Sequence, residues 1–151
     1  MNITQERTMQ TFLPSPFFDE SASILDWRRL GKQRSEARQI LKSIRTFDRW
    51  FWHAAVQMWI GYEAALIEYG NVIILEWEAR EYENNMPLMD PGEIVLPPWL
   101  GDERVHSSHR ANLLRKDPEW YGRFCWSEEP AKGYFWPTKG ASNVIVVGTE
   151  A

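Results

Sequence analysis

Residues Leu25–Leu41, LDWRRLGKQRSEARQIL, decide how the rest of the chain is read. The stretch holds no Pro and one Gly, Gly31. Ser23 or Asp26 can cap its start, so it predicts a helix running to about Arg45. At about 100° per residue, Leu30, Ala37, Ile40, Leu41 and Ile44 share one face, the stripe that should bury. Asp26 and Gln33 point into that stripe, and Arg29 and Glu36 stand at its edge. Asp26, Arg29, Gln33 and Glu36 therefore form one line of neighbours along the helix. A helix used only as scaffold would carry apolar residues there, because buried charge must be paired. Two readings stand open. The line is an internal network that fixes helix packing, or it is the polar floor of a ligand pocket.

Outward from this helix, charge divides the chain. From Asp26 to Arg49 there are eight basic residues against three acidic ones; from Glu63 to Glu93 there are eight acidic residues against one, Arg80. Within a net charge of −4, this predicts a basic side that can hold phosphates and an acidic side that is solvated. A length of 151 residues fits a single domain with a real core. Nine Trp, seven Phe and five Tyr imply a thick aromatic core, with some rings available as stacking platforms for bases. The single cysteine excludes an internal disulfide and a CxxC metal site. With no long apolar run and no signal-peptide core, the chain is expected to be soluble, cytoplasmic and free of membrane partners.

In chain order, residues 1–9 read as a mobile extension and 10–151 as the domain. Gln10–Pro16 is extended, because Pro14 and Pro16 hold their predecessors out of the α region. Phe12, Leu13, Phe17 and Phe18 should dock into the core. A short helix is expected at Asp19–Leu25 and an aromatic connector at Thr46–His53. A second helix is expected at His53–Tyr69. After a break at Gly70, a third should span Asn71–Glu83 with Ile74, Leu75 and Ala79 inward. Asn84–Leu96 reads as loop. Asp102 should cap a helix reaching about Lys116, Pro118 a short final one. Lys132–Pro137 reads as extended, and Ala141–Thr149, with its NVIVV stretch, as a strand or docked tail. The fold class is mainly α: a compact single-domain helical fold with extended N- and C-terminal segments.

Few stretches carry chemistry of their own. His106 and His109 are three apart on one helix face beside Arg110. The pair binds metal only if the fold supplies a third ligand, such as His53 or a carboxylate. Otherwise His109 and Arg110 serve capping or phosphate contact, or the helix is an ordinary surface one. No metal site and no cofactor are called for, since nucleotide fingerprints and HExxH are absent. Cys125, between Phe124 and Trp126, reads as a buried apolar residue. Glu36 is the carboxylate that helix solvation does not explain. Beside Arg29 it would stay ionised, either to stabilise a developing cation or to anchor the arginine.

The stretches MQTFLPSPFF, RRLGKQRSEARQIL, HAAVQMWIGYEAAL, PPWLGDERVHSSHRANLLRKDPEWYG and YFWP, taken together, resemble a bacterial and phage branch of the pyrimidine-dimer DNA glycosylase (endonuclease V type) family over residues 9 to 137. The resemblance implies a compact helical domain that excises pyrimidine dimers from DNA. It implies the free N-terminal α-amine, left after Met removal, as nucleophile at the sugar C1′, assisted by a glutamate in an Arg-Glu-Leu-Pro-Arg stretch; Lys32 is the nearest side-chain amine. Arg28 matches the first arginine of that stretch and Leu30 its leucine, while Lys32 replaces its last arginine. Arg29 stands at the glutamate, and Glu36, two turns further along, is the only acidic substitute on the helix. The expected catalytic residues are therefore Glu36, Arg29 and Lys32. The expected nucleic-acid or nucleotide contacts are Thr11, Arg28, Gln33, Arg34, His53, His106, His109 and Arg110. The expected partner is DNA or a nucleotide ligand, with DNA the substrate of a glycosylase and abasic-site lyase active in repair. A non-catalytic module of the same fold, holding a nucleotide or nucleic acid, is the alternative.

Overall fold

The computed structural model describes residues 9–137 and the backbone of 144–146. Residues 1–8 of the expected extension lie outside the described residues, while Met9 is buried. Among the described residues the architecture is mainly α: α1 (Phe18–Ile24), α2 (Trp27–Thr46), α3 (Ala54–Gln57), α4 (Glu63–Ala79), α5 (Glu103–Lys116) and α6 (Pro118–Tyr121). A 3₁₀ turn follows at Gly122–Phe124. Strands β1 (Tyr134–Trp136) and β2 (Val144–Val146) pair antiparallel, with Phe135 opposite Ile145.

Helix α2 forms as its sequence dictates. Asp26 sits in extended conformation at the N-cap and its carboxylate accepts the Arg28 N–H at 3.2 Å, satisfying one of the orphan donors of the first turn. The helix ends at Phe47, which adopts a left-handed conformation (φ 53°) while its N–H donates to the Ser43 carbonyl. Leu30, Ala37, Ile40, Leu41 and Ile44 are all buried, as their shared face requires. Each large apolar side chain so buried contributes about 1.5–3 kcal/mol.

The stripe packs against α4, and here the chain departs from its local signals. No break occurs at Gly70. Instead the expected helix His53–Tyr69 stops after the single turn α3, the chain turns through Gly61 (φ 91°), and α4 runs unbroken from Glu63 to Ala79. Gly70 marks a close approach: a Cβ on it would stand 3.5 Å from the Ala37 Cβ on α2. The changed helix start also changes which residues face inward. Ile73 and Ile74 are buried, whereas Leu75 and Ala79 are exposed. Trp59 and Tyr69 are wholly buried at the centre, with Trp59 edge-on to Trp99 at 5.0 Å.

Two more expectations are corrected by the backbone. Phe17 is exposed, because it lies at the entry of α1 with its side chain directed away from the core that Phe12 and Leu13 fill. Cys125 is exposed too; its left-handed φ of 57° ends the 3₁₀ turn and leaves Phe124 and Trp126 to stack on each other at 5.3 Å.

If Gly70 serves close packing inside a continuous helix, Gly70→Ala gains up to about 1 kcal/mol, because the methyl meets only ordinary contacts. Gly70→Leu should lose about 1–3 kcal/mol by overpacking against Ala37. Urea unfolding of the two variants checks this; a loss in both would mean the position needs glycine's backbone freedom.

Candidate functional site

The site is built on Met9–Leu13, an extended segment buried between helices without a sheet partner. Buried peptide groups left unpaired cost about 1–3 kcal/mol each, so side chains must supply the missing bonds. Gln33 Nε2 donates to the Gln10 carbonyl at 2.8 Å and Gln33 Oε1 accepts the Phe12 N–H at 3.1 Å. The Tyr69 hydroxyl shares its one proton between the Phe12 carbonyl at 2.9 Å and Gln33 Oε1 at 2.6 Å. The Leu13 peptide is held at both ends by α5: its N–H donates to His109 Nδ1 at 2.9 Å, and its carbonyl lies 2.8 Å from His106 Nδ1. Arg110 donates to the Pro14 carbonyl and pairs with Glu128 at 2.8 Å and with Glu103. The Thr11 hydroxyl accepts the Trp59 indole N–H.

These bonds fix protonation as well as position. His106 Nε2 accepts the Gly101 N–H, so its proton sits on Nδ1 and is directed at Leu13. His109 accepts at Nδ1, so its proton sits on Nε2. Burial, reinforced by His106 and Arg110, pushes the His109 imidazole down to about 3. Burial lowers His106 too, against the opposing effect of the Leu13 carbonyl. It also raises Tyr69, with the Glu36 charge adding to the shift.

Five residues expected to touch a ligand are therefore engaged within the fold: Thr11, Gln33, His106, His109 and Arg110. Two more are used elsewhere. His53 accepts the Ala55 N–H as the N-cap of α3. Arg34 stacks on Trp77 at 4.3 Å and donates to Asn84. Neither is among the residues lining the clefts described next.

The polar line of α2 is divided by burial. Asp26 and Gln33 are inside; Arg29 and Glu36 reach the surface. Arg29 pairs with Asp26 at 3.2 Å, and Tyr121 donates its hydroxyl to the other Asp26 oxygen while accepting the Asp26 N–H. Glu36 accepts from Gln33 Nε2 at 3.3 Å. Above this line lies a cleft of about 250 Å³ lined by Gln10, Phe12, Arg28, Arg29, Lys32, Glu36, Lys116 and Tyr134. Four cationic side chains thus surround one carboxylate. Gln10 adds a further donor, since its Nε2 is buried without a hydrogen-bond partner among the described residues. A second cleft of about 350 Å³, lined by Met9, Lys32, Ser35, Glu36, Gln39, Arg49 and Trp50, adjoins the first. Lys32 and Glu36, one turn apart, line both. This lining suits an anion flanked by flat apolar surface. No group of three or more His, Cys, Asp or Glu placed to hold a metal occurs among the described residues.

Residues 9–90, just over half of the chain, match the family model for pyrimidine dimer DNA glycosylase. The chain belongs to this family. No curated protein and no solved structure matches it. The pyrimidine dimer DNA glycosylase match begins at Met9, the first residue of the buried segment, and takes in α2 with Arg28, Arg29, Lys32 and Glu36.

Sequence reasoning missed Gln10, Phe12, Lys116 and Tyr134 as cleft residues. Lys116 ends α5 and Tyr134 begins β1, so only the tertiary fold brings them to the cleft. No local signal marks them.

The histidine clamp carries a pH dependence. The unfolded chain protonates His109 near pH 6.5, whereas the folded chain resists until about 3. Stability is then full above about pH 6.5 and falls as pH drops towards 3, by up to about 1.4 kcal/mol per unit for the one group. His109→Asn keeps an acceptor for the Leu13 N–H and cannot titrate. Urea unfolding at pH 7 and pH 5 should show a smaller acid loss in this variant than in wild type; equal losses would mean His109 is not held neutral.

Proposed function

We propose that the paired clefts hold damaged DNA and that the chain is a glycosylase with abasic-site lyase activity. The observation that carries this reading is the position of Lys32 and Glu36. An amine and a carboxylate are shared by both clefts, and Arg28, Arg29 and Lys116 line the first of them as well. Phosphates on either side of a lesion would meet those cations, which supply the salt-dependent part of the affinity. The Gln10 amide offers a neutral donor to the same ligand.

The chemistry follows from the two shared groups. The Lys32 amine attacks C1′ of the sugar, passing its proton to water as the C–N bond forms. The bond from C1′ to the base breaks, the base leaves with the electron pair and takes up a proton, and the sugar ring opens to an imine. Glu36 then removes a proton from C2′, the electrons form a C2′–C3′ double bond, and the 3′ phosphate departs. Water hydrolyses the imine and returns the amine. During the first step positive charge develops on the sugar, and the ionised Glu36 stabilises it.

A second reading is favoured by Arg29. It occupies the position at which the family resemblance expects a glutamate, and it is committed to Asp26. A chain that holds DNA or a nucleotide in the same clefts without cleaving it would carry such a change.

Borohydride separates the two. On dimer-containing or abasic DNA, reduction should trap a covalent adduct, and peptide mapping should place it on Lys32. Glu36→Gln keeps an acceptor for Gln33 Nε2 and should lower the rate by about 10²–10⁴-fold while leaving DNA affinity intact. No adduct on either DNA, with binding retained, would leave the holding module as the function.

A further inference from the structure

The connector between α2 and α3 carries an exposed aromatic cluster that the clefts do not use. Phe47 is 72% exposed and Trp52 is 80% exposed, with Phe51 between them at ring-centroid distances of 4.7 and 5.0 Å. The turn is held rigidly beneath them. Asp48 accepts from Ser43 and Gln39 through one carboxylate oxygen and caps the Trp50 N–H with the other. Gln57 donates to the Phe51 carbonyl at 2.7 Å. Phe47 itself adopts left-handed φ, a conformation that costs an aromatic residue energy and holds its ring outward.

Charge and position say what this cluster meets. The acid of the turn, Asp48, is bonded to its own supporting residues, while Lys42, Arg45 and Arg49 are exposed around it. The surface offered is therefore aromatic and cationic. It is also continuous with the clefts: Arg49 and Trp50, from the same turn, form the wall of the second one, and the Arg49 guanidinium lies 5.1 Å from the Trp50 ring centre. A strand whose phosphates lie along Arg28, Lys32 and Arg49 would bring its next bases onto this turn.

We infer that Phe47 and Trp52 form a stacking platform for unpaired bases of the DNA strand that leaves the second cleft. The inference rests on DNA being the ligand of the clefts. Every base offers a flat face, so such a platform adds affinity without reading sequence. Rings already fixed in place lose little freedom when a base stacks on them.

Two oligomers of equal length test it by fluorescence anisotropy across a salt series. One is oligothymidylate; the other carries the same phosphates on propanediol linkers, with neither bases nor sugars. Wild type should bind the thymidine oligomer about tenfold tighter. The double variant Phe47→Ser, Trp52→Ser should bind both alike, with the wild-type salt slope, because the phosphate contacts remain. Both side chains are exposed, and an unchanged urea midpoint would confirm that the fold persists. Base preference retained in the double variant overturns the platform. So does equal wild-type affinity for the two oligomers, or cosedimentation with anionic phosphatidylserine vesicles that the variant loses in place of base preference. Wild type binding neither oligomer would overturn the proposed function as well, whereas equal binding to both would overturn the platform alone.

Discussion

An extended segment buried among helices has no ladder to complete, and its peptide groups cannot reach water. Met9–Leu13 is in that position, and side chains of α2, α4 and α5 supply its hydrogen bonds: Gln33, Tyr69, His106 and His109. Gln33 uses both ends of its amide, accepting from Phe12 and Tyr69 and donating to Gln10 and Glu36. Removing any one of these side chains would strand a buried donor or acceptor, which is the expensive kind of loss. The segment is thus what ties the first half of the chain to α5.

The same constraint shapes the clefts. By lying against α2, the segment sets Gln10 and Phe12 beside Arg28, Arg29 and Lys32, and Met9 beside Lys32 and Glu36. Glu36 is coupled to it directly through Gln33. Anchoring the segment and shaping the site are two results of one packing arrangement. In a pyrimidine dimer DNA glycosylase family member, the region matched by the family model starts where the anchored segment does.

Much of this was legible from α2 alone. Its cap, its buried stripe and its polar line follow from side-chain spacing, and all are local properties. Burial divides the polar line: Asp26 and Gln33 are inside and bond to Arg29 and Glu36, whose side chains line a cleft. The histidine pair of α5 was visible as a pair, but its use was not. Its partner is a backbone peptide 93 and 96 residues away, and a peptide group leaves no signature in the residue types of a sequence. Gly70 misled for a related reason. A glycine that breaks a helix and one that lets two helices approach look the same until the neighbour, Ala37, is known. Lys116 and Tyr134 reach the cleft only through tertiary packing, so nothing near them in the chain marks them.

The histidine clamp is the most direct place to test whether α5 serves the buried segment. Long-range nitrogen–proton correlation spectra report which ring nitrogen carries the proton. At pH 7, His106 should be the neutral Nδ1–H tautomer and His109 the neutral Nε2–H tautomer, and both patterns should persist when DNA is added. A charged ring on either residue, the opposite tautomers, or resonances that shift to the imidazolium pattern on DNA binding would contradict the clamp and return the pair to the ligand site.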